Sequence, residues 1–204
     1  MIVAYRAGGY WQPLRTEASR FDGRFHRAAT VGSHAPPTQY LSLHPLGPLA
    51  EWLRWNHPPR EALNVLATAT WALRVPELEF ERIAFDNAGA YGISPSELVS
   101  DDYTQCQDLA DTLRARQCPG IVVPSAALPG TANLVLFGVR VPTVYLVEPI
   151  DPNLDVPVAL TAFPGGATDR IYDLVRYRGT PHLALEAFEA GRQFLLDERS
   201  TWPT

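Results

Sequence analysis

The stretch Cys106-Gln107-Asp108-Leu109-Ala110-Asp111, followed shortly by GIVVPSAALPGTANLVLF over residues 120–137, decides how the rest of the chain is read. Cys106, Leu109, Ala110 and Leu113 recur at the three- and four-residue spacing of one helix face, so Tyr103 to Gln117 reads as an amphipathic helix closed by Pro119-Gly120. The runs Ile121–Val123 and Leu134–Phe137 are apolar, short and separated by the turn-forming PSAALPGTAN, which makes them two buried strands flanking a loop. A helix running into a buried strand pair implies helices layered on a sheet.

Outward from this segment the same signals continue. Thr38 to Ser42 reads as a short strand, and Pro45 to Asn56 as a helix with a proline near its start, Leu49, Trp52 and Leu53 on one side and Glu51 in its middle. Ile2 to Arg6 is an opening strand; the glycine-, arginine- and aromatic-rich loop from there to Pro37 is longer than mere connection requires. The odd positions from Leu63 to Val75 are apolar, a period of two that favours a half-buried strand over a competing helix. Glu79 to Asp86 is a second strand candidate in this region, and Ser94 to Val99 a short helix opened by Ser-Pro. Further on, Thr143 to Val147 and Ile171 to Tyr177 read as strands and His182 to Leu196 as a closing helix. The sequence contains no internal repeat, so the expectation is one α+β domain over residues 1–204, a mixed α/β arrangement of short strands and a few longer helices.

Composition narrows the chemistry. Hydrophobic residues make up 46% and charged residues 19%, the balance of a packed globular chain. The net charge of −5 provides no footprint for nucleic acid or for an anionic membrane, so any anion must be held locally. All 17 basic side chains are arginine. The absence of lysine excludes a Schiff-base lysine and a Walker A lysine, and leaves bidentate arginine as the tool for phosphate or carboxylate. Cys106 and Cys118 form no C-x-x-C pair; Cys106 reads as core, and Cys118 has no activating neighbour. The five histidines, at 26, 34, 44, 57 and 182, have no metal-ligand spacing, so no metal is expected and each reads as a surface or locally bonded residue; His26 is the one to watch. The start MIVAYRAGG lacks the pattern of a signal peptide and no apolar run reaches membrane-spanning length, which leads to the expectation of a cytoplasmic protein.

Four segments could carry function: Tyr5-Arg6; Gly23-Arg24-Phe25; Tyr40-Leu41-Ser42 with Glu51 on the following helix; and Val122-Val123-Pro124-Ser125-Ala126 with Asn133 beyond the turn. An arginine after glycine lets backbone and guanidinium approach an anion closely, and the helix after Tyr40 could return a carboxylate to the same place. The competing account makes Arg24–Glu51 a structural bridge, Tyr40 a core residue and Ser125 a turn cap.

In order and in local wording these segments resemble the RES domain, a family named for its arginine, glutamate and serine whose members are toxins of bacterial toxin–antitoxin pairs. The resemblance runs from about Tyr5 to Phe137 and is most specific in the Cys106 to Phe137 stretch. It implies an ADP-ribosyltransferase-like fold and NAD as a consumed substrate whose nicotinamide–ribose bond is broken, with no permanently bound cofactor. By carry-over, Arg24 would hold the phosphates with Arg6 as a further anion contact. Tyr40 would stack near nicotinamide, Glu51 would stabilise the ribose cation, and Ser125 and Asn133 would bond within the pocket. Expelling neutral nicotinamide needs no general acid, so a carboxylate and phosphate clamps suffice. The acceptor is left open among phosphate, water and a protein side chain, the last being the chemistry of a protein ADP-ribosyltransferase; a non-catalytic binding or decoy member is the other alternative. The resemblance also implies an Xre-type antitoxin partner and dimers. Two departures stand out: His26 replaces the family's usual asparagine, next to a longer insert at 28–38, and Ala127 replaces its frequent arginine, removing one contact for an attacking second substrate.

Overall fold

The computed structural model describes residues 2–7, 21–30, 36–65, 69–75, 80–137, 148–149, 159–161 and 169–196. Its centre is the segment quoted above: helix α3 (Thr104–Ala115) leads into strands β5 (Gly120–Pro124) and β6 (Ala132–Phe137), paired antiparallel from Gly120↔Leu136 to Pro124↔Ala132. Side chains alternate across these strands. Ile121, Val123, Val135 and Phe137 face a core shared with Leu98, Cys106, Leu109 and Leu113, while Val122, Leu134 and Leu136 face a second cluster with Ala4, Leu41 and Val75. Burial on both faces explains why the two strands read as continuous apolar runs.

Around them a mixed sheet takes the order β4-β5-β6-β2-β1-β3-β7, with β8 also paired to β3. The remaining strands are β1 (Ile2–Ala7), β2 (Thr38–Ser42), β3 (Ala69–Val75), β4 (Glu81–Arg82), β7 (Glu148–Pro149) and β8 (Ala159–Thr161). Among the described residues only the β4/β5 pair is parallel. Helices α1 (Gly47–Asn56) and α4 (Asp169–Leu174) pack Ala50, Leu53, Ile171 and Val175 against Ala127 and Leu128 of the β5–β6 loop. Short α2 (Pro95–Val99) opens with the Ser94/Glu97 capping box, and α5 (Leu183–Glu189) is capped by His182, whose ring accepts from Leu185 N–H.

Four expectations are corrected. Ile171–Tyr177 is not a strand: Ile171 and Val175 are the i, i+4 pair of a helical turn, joined by a 3.1 Å backbone bond and buried against α1, so packing overrides the strand propensity of its branched and aromatic residues. The strand expected over 63–75 is described over Ala69–Val75, and its first residues are not part of it: Arg60–Val65 forms a 3₁₀ turn launched by Pro59, whose carbonyl accepts from Ala62 N–H. The strand expected over Glu79–Asp86 is cut to two residues by an Asn87 side chain that accepts from Ala84 N–H and donates to Arg82 O. The closing helix ends at Glu189, where Gly191 turns left-handed and Arg192 N–H returns to Ala187 O. The Thr143–Val147 strand lies outside the described residues.

Candidate functional site

Strand register builds the floor of a cavity. Val123 pairs with Asn133, Asn133 with Ser42, and Ser42 with Tyr5, a row of side chains across four strands. The next row on that face carries Tyr40 opposite Val135. All six line a cavity of about 320 Å³. Helix α1 forms a wall with Pro48, Glu51, Arg54 and Trp55, and the Gly23–Phe25 turn, Arg6, Leu41, Tyr103 and Pro124 complete the lining. The helix can lie this close because position 47 is glycine: a Cβ there would overlap the Ser42 hydroxyl.

Glu51 is half-buried, and its Oε1 accepts a 3.1 Å bond from Asn133 Nδ2. That bond fixes which way the amide points, since a carboxylate only accepts. Asn133 Oδ1 is then buried with no hydrogen-bond partner among the described residues, an acceptor at the cavity wall.

The Gly23–His26 turn is tightly held. Its ends bond to each other, Gly23 N–H to His26 O at 2.9 Å, and Gln107 Nε2 donates to both carbonyls at 3.0 and 3.2 Å. Phe25 N–H donates to the Tyr40 hydroxyl at 2.9 Å, and His26 Nδ1 lies 2.8 Å from the same oxygen. A Cβ at position 23 would overlap both the His26 ring and that hydroxyl, so glycine is required by space. Burial, then the nearby Arg114 charge, lowers the His26 pKa, and burial raises that of Tyr40; both stay neutral at pH 7. Arg24 projects from this turn with Nη1 donating to Leu98 O (3.3 Å) and Ser100 O (2.5 Å) and its guanidinium 4.8 Å from the centre of the Tyr103 ring. Arg6 is largely desolvated, which lowers its pKa but leaves it a cation.

Of the residues singled out in the sequence, Arg6, Arg24, Tyr40, Glu51 and Asn133 are brought to one cavity. Arg24 and Glu51 do not pair: each has the other partners just described. Ser125 is placed differently. It is fully buried beyond the end of β5, its hydroxyl accepting from Leu128 N–H at 3.1 Å and its carbonyl bonded to His182 Nε2 at 3.0 Å, and it is not part of the cavity lining. Ala127 is also fully buried, against Ala50 and Leu53. The 28–38 insert is described only at its two ends. Cys106 is core, as expected, with burial pushing its thiol up to about 11. Among the described residues no group of histidine, cysteine and carboxylate side chains could hold a metal, and no helix is long and apolar enough to cross a membrane.

Sequence reasoning missed Arg54, Trp55 and Tyr103 as lining residues. Trp55 had a signal, being four residues after Glu51 and so on the same helix face.

Comparison with known proteins agrees with this architecture. A chain of the Mycobacterium tuberculosis MbcT–MbcA toxin–antitoxin complex superposes with a TM-score of 0.56 at 20% identity, covering 84% of this chain and 87% of that one, a likeness of fold. A probable NAD(+) phosphorylase of Mycobacterium tuberculosis is 29% identical over 149 residues, 67% of this chain and 68% of that protein. The family model of the RES domain matches residues 3–159, which contain every cavity residue named above, and the chain therefore belongs to the RES domain family.

Proposed function

We propose that this chain is an NAD-cleaving enzyme of the toxin type, which breaks the bond between nicotinamide and ribose. The observation that carries the reading is Glu51: a carboxylate held by Asn133 in a cavity floored by Tyr5 and Tyr40, with Arg24 and Arg6 among its cations. The arginines grip the diphosphate and Tyr40 stacks near the nicotinamide. As the C1′–N bond breaks, its electron pair neutralises the pyridinium nitrogen, and the positive charge passes to the ribose beside Glu51. An oxygen of the acceptor then bonds to C1′, and the proton it carried is released to solvent. Phosphate is the acceptor we favour, in line with the name of the phosphorylase relative; water would yield free ADP-ribose, and a protein side chain would retain it.

The role of Ser125 is to fix the turn that follows Pro124, a cavity residue. The same reading brings an Xre-type antitoxin partner, dimers of the toxin and a cytoplasmic setting, where NAD is available. Co-purification with a co-expressed antitoxin and light scattering of the isolated chain test the first two.

Glu51→Gln keeps shape and removes charge. Its kcat for nicotinamide release is expected to fall about 100-fold, the ~3 kcal/mol of one preorganised electrostatic contact, with NAD affinity by calorimetry nearly unchanged. Near-normal release from a folded but less stable variant would overturn the assignment. Product analysis with and without phosphate identifies the acceptor.

A further inference from the structure

The cavity volume of about 320 Å³ is at the lower end of the ~300–1,000 Å³ usual for small-molecule pockets. That is small for a whole dinucleotide, so part of such a ligand would extend to the mouth of the cavity. Trp55 stands there, one helical turn beyond Glu51 on the same face of α1. It is 52% exposed, an unusual position for an indole that stabilises only the core. Its surroundings are nevertheless ordered. The Arg178 guanidinium lies 4.2 Å from the ring centre, and Tyr103 meets the ring edge-on at 6.5 Å. Arg178 Nη2 donates to the Tyr103 hydroxyl at 3.2 Å, and Arg24 covers Tyr103 in turn. Rings and cations thus alternate from the rim down to the Arg24 turn. An indole backed by a guanidinium and half open is a platform for a flat heteroaromatic ring, and the flanking cations suit the phosphate attached to it.

We propose that Trp55, backed by Arg178 and flanked by Tyr103, is the outer subsite that stacks the adenine of NAD, with the adenylate phosphate towards Arg178 and Arg24. The proposal rests on NAD being the substrate. Its test pairs NAD turnover with adenosine monophosphate, a probe of the outer half alone. In the wild type the monophosphate should compete with NAD. Trp55→Ala should raise both the KM for NAD and the inhibition constant of the monophosphate about ten-fold, the scale of one lost base–aromatic stack, with kcat within about two-fold. Trp55→Phe should restore most of both. Inhibition by free nicotinamide, which occupies the inner half, should not change. Absence of competition in the wild type, or both constants within about two-fold in Trp55→Ala, would overturn the subsite. A wild type that releases no nicotinamide would instead sink the NAD-cleaving reading; calorimetry of the monophosphate on wild type and Trp55→Ala then still decides the subsite, where equal affinities refute it and a ten-fold loss supports it.

Discussion

Arg24 and Arg54 line the same cavity from two regions, the Gly23–His26 turn and helix α1, and they are held in opposite ways. Arg54 is 3% exposed, donates to Ala126 O and Arg176 O at 3.1 and 2.8 Å, and is ion-paired with Asp101. Arg176 joins the same carboxylate, as does Gly179 N–H. Arg24 has carbonyl acceptors and an aromatic ring, but no carboxylate among the described residues. Neutral acceptors satisfy its N–H groups without cancelling its charge. A buried arginine compensated by a carboxylate organises structure; one satisfied by carbonyls keeps its charge for a ligand.

The largest expected effect breaks the organising side. Arg54→Ala leaves Asp101 with Arg176 and Gly179 N–H but removes the nearer arginine and the donor to Ala126 O and Arg176 O, and should destabilise the fold by about 2–4 kcal/mol. A melting temperature close to the wild type would show that the network is solvated and that the contrast fails. Arg24→Ala should leave the melting temperature within a few degrees while raising the KM for NAD by one to two orders of magnitude, about 1.5–3 kcal/mol for a charge-assisted contact. Unfolding of this variant, with normal turnover in whatever stays folded, would make the two arginines alike.

Ser125 sharpens the comparison from the turn beside Arg54. Ser125→Ala should cost about 1 kcal/mol of stability through the lost bond to Leu128 N–H and leave kcat per folded molecule nearly unchanged. A large loss of kcat with full stability would place the hydroxyl in the reaction. The smallest effect is a two-step response to acid. His26 and His182 are both lowered below the ordinary 6.5, chiefly by burial, so the stability they hold at neutral pH declines as pH falls below that value towards their folded values. Asp101 is desolvated, but Gly179 N–H and the two arginines outweigh this and hold it below the ordinary 3.8; its contribution is complete above that value and is lost as pH falls further. Melting curves from about pH 8 to pH 3 measure both steps, and a flat profile to about pH 4 would mean that neither histidine is kept neutral by the fold.

Where one pattern dominated, the sequence was legible. The helical spacing from Cys106 to Leu113 and the twin apolar runs gave α3, β5 and β6, and three of the four candidate segments meet at the cavity because strand register puts Tyr5, Ser42, Asn133 and Val123 in one row, the Gly23–Phe25 turn joining them through the Tyr40 hydroxyl. Ser125 escaped because alternation lapses where β5 ends, so adjacency to cavity-lining Pro124 says nothing of its direction. Arg54 escaped because an arginine in an amphipathic helix reads as solvated, and only the arrival of Asp101 and Arg176 from distant segments makes its burial tolerable. Helix α4 escaped because Ile171, Tyr172 and Val175 favour a strand locally and the α1 surface that reverses the preference is remote in sequence.

Helix α1 is pinned at both ends: Gly47 sits against Ser42, and His57 ends the helix in a left-handed conformation with its ring stacked 4.2 Å from Tyr177. Between these stops ten residues carry the anchor Arg54, the carboxylate Glu51 and the rim residue Trp55. One inserted residue would turn everything beyond it by about 100° about the axis, sending Glu51 out of the cavity and Arg54 into solvent together. The helix therefore behaves as a gauge of fixed length, open to exchange of side chains at its outer positions but closed to insertion and deletion.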